Sequence, residues 1–432
     1  MLDIQFIRNN KDLVEEKARQ KGYPINLDEL LNLDNELKRN IPILEDILNQ
    51  RNKLSAQFSS SKPSQDDIEK GKELKNKASE LEKKINDLKQ KYNKTLKLVP
   101  NMPLDIVPVG ASEDENVVIK KVGEPQKFKF NPKNHWELND DNSLFDKTRA
   151  AKIAGSRFVY LKGGLVRLQF AMINWVMEKL SDEEFIDSIV KDNNLNISSR
   201  PFVPILPPGL VNTGSYMATT RLDAEDVTYK LADDELWMNA SAEHSLCNMY
   251  QSEIVSEQDL PIRYLGYATS YRREAGSYGK DTEGIIRLHQ FDKLEMEVFS
   301  TPETGIEEHK LLVAIEEYFV SQLNLPYQLL EKCTADIGKP NAKGIDIEVW
   351  FPGQNKYRET HSADYMTDFQ ARSLKTRFRK TDNSIGFVHN NDATVFAFSR
   401  ILAAIMENYQ TEDGHIRIPE VLKKYLGGME EL

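Results

Sequence analysis

Apolar residues recur in a heptad pattern, with steps of three and four, over two stretches near the start of the chain, and in the first stretch Asn40 and Arg51 interrupt the pattern. One stretch comprises Leu30, Leu33, Leu37, Leu44, Ile47, Leu54 and Phe58. The other comprises Leu74, Ala78, Leu81, Ile85, Leu88, Tyr92 and Leu96. This spacing lines one face of a helix and is typical of a coiled-coil seam. Because the polar segment SSSKPSQDD with Pro63 breaks the helix between them, the pattern predicts an antiparallel helical hairpin over about residues 28–97.

The pattern changes after the hairpin. Residues 106–124 contain Pro and Gly without a sustained period, and we interpret them as a linker between an N-terminal domain, 1–105, and a second domain, 125–432. In the second domain, helical stretches alternate with β-like runs such as PFVPIL, PIRYLGYATSYRREA, HQFDKLEMEVF and GIDIEVWF. This alternation predicts an α+β fold with a mainly antiparallel sheet flanked by helices. Near its end, NNDATVFAFSRILAAIMENYQ predicts one buried helix.

Composition narrows the class of protein. Of the 432 residues 40% are hydrophobic, the mean hydropathy is −0.55, and no apolar run is long enough for a membrane span. The only cysteines, Cys247 and Cys333, cannot build the disulfide framework of a small secreted domain. We therefore expect a cytoplasmic protein with no membrane contact.

Charge is unevenly distributed along the chain. The net charge of −11 argues against a generic nucleic-acid binder, yet residues 70–97 hold ten lysines against four acidic residues. A polyanion such as RNA can dock on this leg of the hairpin, with Lys83, Lys84, Lys89 and Lys91 as candidate contacts. The alternative is a coiled coil that only mediates self-association, and the apolar repeat alone leaves both interpretations open.

The strongest candidate for chemistry is the pair of strands that follows residue 260. Their period of two places Arg272 and Glu274 on one face of the first strand. On the returning strand one face is apolar, and the other carries Phe291, Lys293, Glu295 and Glu297. A solvated face with cross-strand ion pairs is the alternative. An aromatic residue among the charges and a long connecting loop favour a functional site.

Two further segments offer ligands for phosphates or metals. In GIDIEVWFPGQNKYRETHSADY, the carboxylates Asp346, Glu348 and Glu359 and the hydroxyl of Ser362 are of the types that can hold Mg²⁺ beside phosphates. In the last helical run, Arg400 is the only charge between residues 393 and 406. A buried arginine needs an anion, which can be Glu407 or a phosphate of a ligand.

Together these segments resemble a known family. The Arg-x-Glu strand, the run HQFDKLE and the final arginine-bearing segment resemble motifs 2 and 3 of class II aminoacyl-tRNA synthetases, and helix 167–180 with PFVPILPPGLV resembles motif 1. The sequences REAGSYGKDTEGIIRLHQFDKLE, EVWFPGQNKYRETHS, DFQAR and ENYQ behind a coiled-coil arm resemble the seryl-tRNA synthetase family. The class I signatures HIGH and KMSKS do not occur.

The resemblance implies an activity and partners. The protein would use ATP and Mg²⁺ to convert L-serine to seryl-adenylate, and would transfer the seryl group to the 3′ end of tRNA(Ser), and also of tRNA(Sec). The arm would lie against the tRNA. The motif 1 element would form a homodimer.

The resemblance also implies roles in nucleotide binding. Glu274 would bind the adenine amino group, Phe291 would stack on adenine, and the backbone of Leu288 would contact it. The phosphates and the metal would be held by Arg272, Arg287, Arg400, Glu359 and Ser362. Arg272, Arg400 and Glu359 would then be the catalytic residues.

For serine, the resemblance implies a second set of contacts. These residues are Ser241, Glu243, Arg272, Glu295, Asp392 and Thr394. Four positions depart from the family pattern, since Ser241 replaces Thr, Asp392-Ala393 replaces Asn-Gly, and Ser399 replaces Gly. These departures motivate one alternative, a paralogue that activates an amino acid for a carrier protein or other acceptor. A non-catalytic RNA-binding scaffold on the same fold is the other.

Overall fold

The computed structural model describes residues 1–57, 63–140, 143–221, 227–274 and 283–432. The helices are α1 (Ile4–Asn9), α2 (Lys11–Gln20), α3 (Asp28–Gln57), α4 (Gln65–Leu98), α5 (Lys147–Ala154), α6 (Gly163–Leu180), α7 (Glu183–Asp192), α8 (Thr213–Ala218), α9 (Glu243–Leu246), α10 (Gly305–Gln322), α11 (Phe369–Leu374), α12 (Phe398–Asn408) and α13 (Glu420–Lys423). The strands are β1 (Val117–Val122), β2 (Phe145–Asp146), β3 (Tyr160–Leu161), β4 (Val203–Ile205), β5 (Leu210–Asn212), β6 (Leu236–Met238), β7 (Ile254–Ser256), β8 (Ile262–Tyr271), β9 (Gln290–Ser300), β10 (Tyr327–Glu331), β11 (Lys343–Phe351), β12 (Lys356–Thr367), β13 (Arg377–Arg379), β14 (Ile385–Phe387) and β15 (His389–Ala397). The chain divides into two compact units, Met1–Pro100 and Asn101–Leu432.

The first unit contains the predicted helical hairpin. Helices α3 and α4 pack along the apolar seam, with Leu33, Leu37, Ile85 and Leu88 buried between them. Helix α4 begins with a capping box in which the side chain of Ser64 accepts from the backbone N–H of Asp67, and the Asp67 side chain accepts in return. The candidate RNA contacts Lys83, Lys84, Lys89 and Lys91 are all exposed on α4.

The second unit is built on an eight-stranded sheet. Its strand order is β1-β10-β11-β12-β15-β9-β8-β4, and every neighbouring pair is antiparallel except β4 with β8. This confirms the predicted α+β fold. Strand β1 lies inside the segment interpreted as a linker. Because residues 117–121 are all exposed, their sequence lacks the alternation that identifies a half-buried strand, and only pairing with β10 reveals it.

Strand β9 separates an apolar face of the sheet from a polar one. Leu294, Met296 and Val298 enter the main hydrophobic core. On the opposite face Glu295 and Glu297 are fully buried and Lys293 is nearly so. The polar face is therefore enclosed, and the solvated face that was the alternative does not form here.

The segment predicted as the last helix is half strand. Residues 389–397 form β15, and only from Phe398 does the chain become helix α12. Strand β15 pairs with β12 on one side and β9 on the other, so its backbone groups are satisfied across the sheet and not along a helix. The prediction of one helix is wrong for this half because the local apolar pattern does not reveal a central strand.

Helices close the apolar side of the sheet. The rings of Trp175 on α6 and Phe319 on α10 meet edge to face with their centroids 4.8 Å apart, and Phe396 of β15 packs beside both. Among the described residues, none of the helices has the length and apolar character required to traverse a bilayer.

If the exposed lysines of α4 contact RNA phosphates, neutralising them should weaken binding. We expect the combined change of Lys83, Lys84, Lys89 and Lys91 to Gln to lower affinity for tRNA and to reduce the slope of log affinity against log salt, since each lost contact releases about one counterion fewer. The measurement is tRNA affinity across a salt series.

A matched control changes four exposed lysines of the second unit, Lys121, Lys127, Lys129 and Lys356. It should leave the slope unchanged. If the α4 variant also keeps its affinity and slope, this leg does not bind tRNA and the self-association interpretation of the hairpin is favoured.

Candidate active site

A cavity of about 190 Å³ opens on the polar face of the sheet. The residues singled out from the sequence that line it are Glu243, Arg272, Glu274, Arg287, Leu288, Phe291, Glu359, Ser362, Asp392, Thr394 and Arg400. The other two predicted residues, Ser241 and Glu295, contact this lining. Ser241 Oγ donates to Glu243 Oε1 at 3.2 Å, and Glu295 Oε2 accepts from Thr394 Oγ1 at 3.5 Å. Residues separated by up to 159 positions in the chain therefore meet at one place.

Arg272 is positioned by the strand that precedes it. Its backbone N–H donates to the carbonyl of His289 at 2.9 Å, which continues the pairing of β8 and β9 by one residue. Its Nε donates to the carbonyl of Ala240 at 3.0 Å, and the guanidinium carbon lies 5.4 Å from the centroid of the Phe291 ring. A fixed cation beside an aromatic ring is suited to a phosphate joined to a nucleobase.

Two other arginines each pair with a carboxylate at the cavity wall. Arg400 contacts Glu359 Oε1 at 2.8 Å and the backbone carbonyl of Glu359 at 3.1 Å. Arg287 contacts Glu274 Oε2 at 2.5 Å. Burial raises the pKa of Glu359, but Arg400 and then Lys332 outweigh this effect and lower it. Both arginines can therefore meet an anionic ligand while their carboxylates keep them oriented.

Glu407, the other anion considered for Arg400, has different partners. Its carboxylate accepts from His135 Nδ1 at 2.8 Å and from the backbone N–H of Gly353 at 3.0 Å. The anion for Arg400 within the described chain is thus Glu359.

Glu359 and Ser362, the metal ligands implied by the family resemblance, both line the cavity. The side chain of Glu359 is 46% exposed. The hydroxyl of Ser362 accepts from Lys332 Nζ at 2.9 Å, and its oxygen has a second lone pair. This donor set fits Mg²⁺, which prefers few protein oxygens and keeps its other positions for water or phosphate. Asp346 pairs with Lys332 at 3.1 Å, and Glu348 accepts from Gln328 at 2.7 Å.

Three carboxylates converge at the cavity, and two of them, Glu243 and Asp392, line it. Glu243, Glu295 and Asp392 each offer an oxygen, and these oxygens lie within 4.8 Å of one another. Lys293 contacts Glu295 and lies 3.4 Å from Glu243 Oε1. Arg221 lies 2.9 Å from Glu243 Oε2 and 2.5 Å from Asp392 Oδ2. Three acids with two cations give this cluster a formal charge of one negative when all its groups are ionised.

The environment shifts the pKa values of two acids in this cluster in opposite directions. Burial and the neighbouring Glu243 raise the pKa of Glu295 to about 8, with Lys293 opposing them. Burial alone would also raise the pKa of Glu243, but Arg221 and Lys293 lower it strongly. Glu243 is therefore ionised at neutral pH and can accept from a ligand's ammonium group.

Two residues of the cluster were not among the predicted site residues. Lys293 has a signal in the sequence, because it shares the period-two face of Phe291 and Glu295. Arg221 stands in RLDAEDVTY, which has no recognisable spacing or motif. Its place in the site is determined by tertiary structure.

Comparison with known families gives two matches that together span most of the chain. Residues 1–103 match the family described as the seryl-tRNA synthetase N-terminal domain. Residues 228–409 match the class II tRNA synthetase core domain shared by the G, H, P, S and T enzymes.

Individual relatives match over nearly the full length. The serine–tRNA ligase of Petrotoga mobilis is 40% identical, and that of Thermodesulfovibrio yellowstonii 38%, each covering 99% of both chains. The seryl-tRNA synthetase of Pyrococcus horikoshii, solved with ATP, superposes with a TM-score of 0.86 at 35% identity, covering 100% of this chain and 99% of that one.

Proposed function

The chain belongs to the seryl-tRNA synthetase family, and on that premise we propose that it is a serine–tRNA ligase. It converts serine and ATP to seryl-adenylate and pyrophosphate, and then transfers the seryl group to the 3′ end of tRNA(Ser). One observation carries this proposal. One cavity is lined by Phe291 and by Arg272, Arg287 and Arg400, and also by Glu243 and Asp392 of the carboxylate cluster, in which Glu243 is ionised.

The adenine of ATP binds at Phe291. The ring supplies a stacking surface, the carboxylate of Glu274 accepts from the adenine amino group, and the backbone of Leu288 contacts the base edge. Arg287 keeps Glu274 oriented through their 2.5 Å contact. Arg400 contacts the γ-phosphate of ATP.

Adenylate formation is an in-line displacement at the α-phosphorus. An oxygen of the serine carboxylate forms the new P–O bond while the bond to pyrophosphate breaks. Because the carboxylate is already ionised at neutral pH, no protein base is required. Arg272 contacts both the α-phosphate and the serine carboxylate, which orients the reactants and stabilises the developing charge. Glu359 and Ser362 would hold Mg²⁺, which neutralises phosphate charge when bound.

Serine is recognised through its ammonium and hydroxyl groups. The ionised Glu243, with Ser241 beside it, accepts from the ammonium group. Glu295 and Thr394 bind the hydroxyl, and Asp392 completes the acidic wall. The departure at Ser241 retains a hydroxyl, and Thr394 supplies a second one, so the pocket keeps the polar atoms that distinguish serine from alanine.

The remaining assignments concern assembly and location. Residues 1–105 bind tRNA through the hairpin, residues 106–124 form the connection that includes the edge strand β1, and residues 125–432 form the catalytic domain. We assign a homodimer to the motif 1 element, since β4 ends the sheet and the apolar side chains of Phe170, Val203 and Leu206 are more than half exposed. The protein acts in the cytoplasm.

The two alternatives lack comparable support. A paralogue serving a carrier protein has no need of the N-terminal unit, which here matches the tRNA synthetase domain. A non-catalytic scaffold has no need to bring Arg272, Glu359 and Arg400 to one cavity.

Arg272→Ala should abolish amino-acid-dependent ATP–pyrophosphate exchange. The expected loss is at least about a hundredfold in kcat, because the cation at the developing charge is removed. The control is the adjacent substitution Arg273→Ala. The guanidinium carbon of Arg273 lies 5.0 Å from the centroid of the Tyr229 ring, and Arg273 is not among the residues that line the cavity. It should retain exchange. Near-normal exchange in folded Arg272→Ala would contradict the phosphate assignment.

Exchange measured with each of the twenty amino acids should be fastest with serine. Thr394→Val should then reduce serine exchange much more than alanine exchange, since a buried polar partner is left unpaired. Thr376→Val is a control at a buried threonine outside the cavity, where Oγ1 donates to the Tyr250 carbonyl at 3.3 Å. A better substrate than serine would instead support the paralogue.

A further inference from the structure

Arg221, like Lys293, belongs to the carboxylate cluster but has no role in the proposed reaction. Its guanidinium lines the cavity and is largely buried, with 15% of the side chain exposed. One nitrogen lies 2.9 Å from Glu243 Oε2 and the other 2.5 Å from Asp392 Oδ2. Asp364 Oδ2 is more distant at 3.8 Å. Arg221 therefore bridges two acids on separate elements, α9 and β15.

The backbone around Arg221 fixes the direction in which its side chain points, toward Glu243 and Asp392. Thr220 has φ of +56°, a left-handed conformation that is rare for a β-branched residue. The carbonyl of Thr219 accepts from Gln370 Nε2 at 3.0 Å, and the carbonyl of Arg221 lies 3.2 Å from His244 Nε2. A strained turn that is fixed on both sides is expected where the side chain it directs has a function.

Burial and the neighbouring acids raise the pKa of Asp392, and Arg221 is the group that opposes them. In the sheet the cross-strand neighbour of Asp392 on β12 is Asp364, and on β9 it is Glu297. Like charges directly opposite each other are unfavourable, and here three acids lie side by side across three strands. Lys332 takes the other oxygen of Asp364 at 2.8 Å. The cation in contact with Asp392 among the described residues is Arg221.

The Arg221–Asp392 ion pair gives the pocket the same formal charge that a neutral amide at position 392 would give without Arg221. Glu243, Glu295 and Asp392 with Arg221 and Lys293 carry a formal net charge of one negative. A neutral amide at 392 without Arg221 would give the same value. Asp392 stands where the family pattern has Asn, so an ion pair here takes the place of an amide while the pocket still matches one ammonium group.

We propose that Arg221 is a positioning residue for the amino-acid substrate: it neutralises Asp392 and holds Glu243 in place to receive the ammonium group. This inference rests on the proposed function for the identity of the substrate. It adds a prediction that the proposed function does not make: substitutions of Arg221 and Asp392 have coupled effects on KM for the amino acid, whichever amino acid is the substrate.

The test is a double-mutant cycle with Arg221→Met, Asp392→Asn and the combined variant, measured by pyrophosphate exchange. Each single variant should raise KM for serine about tenfold while KM for ATP stays within about twofold, since only the ammonium end of the cavity is altered. The combined variant restores the net charge, so its KM for serine should lie at least about tenfold below the product of the two single effects.

Two controls separate positioning from folding. Arg221→Lys keeps one charge and should fall between the original protein and Arg221→Met in KM for serine. Arg263→Lys alters a fully buried arginine pair outside the cavity, with Glu308 at 2.8 Å, and should lower thermal stability without changing KM for serine.

Independent, multiplicative effects of the two substitutions would overturn the proposal, and so would equal changes in KM for serine and ATP. If another amino acid drives exchange best in the unmodified protein, the proposed function fails, and the same cycle run with that amino acid still decides whether Arg221 and Asp392 are coupled.

Discussion

The alternation of β9 is the constraint on which the site depends. Leu294, Met296 and Val298 are locked into the hydrophobic core, and this fixes Lys293, Glu295 and Glu297 on the opposite face. A shift of one residue in strand register would exchange the two faces and bury the charges in the core. The apolar core thereby determines where the charges of the active site lie.

Burial of so many charges requires that each be compensated locally. At one end of the cavity Arg287 and Arg400 pair with Glu274 and Glu359, and these contacts orient the arginines for a polyanionic ligand. In the carboxylate cluster the pKa of Glu295 is raised and that of Glu243 is lowered, so Glu243 is the ionised acid that can receive an ammonium group. The cavity is thus electrostatically complementary to ATP at one end and to an ammonium group at the other.

How much the sequence could reveal depended on the range of the interactions involved. The hairpin and the two faces of β9 follow from short periodic patterns, and both formed as predicted. Strand β15 was mistaken for helix because its pairing partners, β9 and β12, are distant in sequence. Arg221 was missed for the same reason, since only the folded chain brings it to Asp392, 171 residues away.

The central claim is that the chemistry of adenylate formation is complete within the second unit and that the hairpin serves only the tRNA. Every residue assigned to ATP or serine lies between 241 and 400, whereas the hairpin closes its own apolar seam. The most direct test removes residues 28–97, replaces them with a short linker, and compares serine-dependent pyrophosphate exchange with tRNA charging in the same preparation. The account predicts exchange close to that of the full chain and almost no charging. Loss of exchange in a folded variant would contradict it.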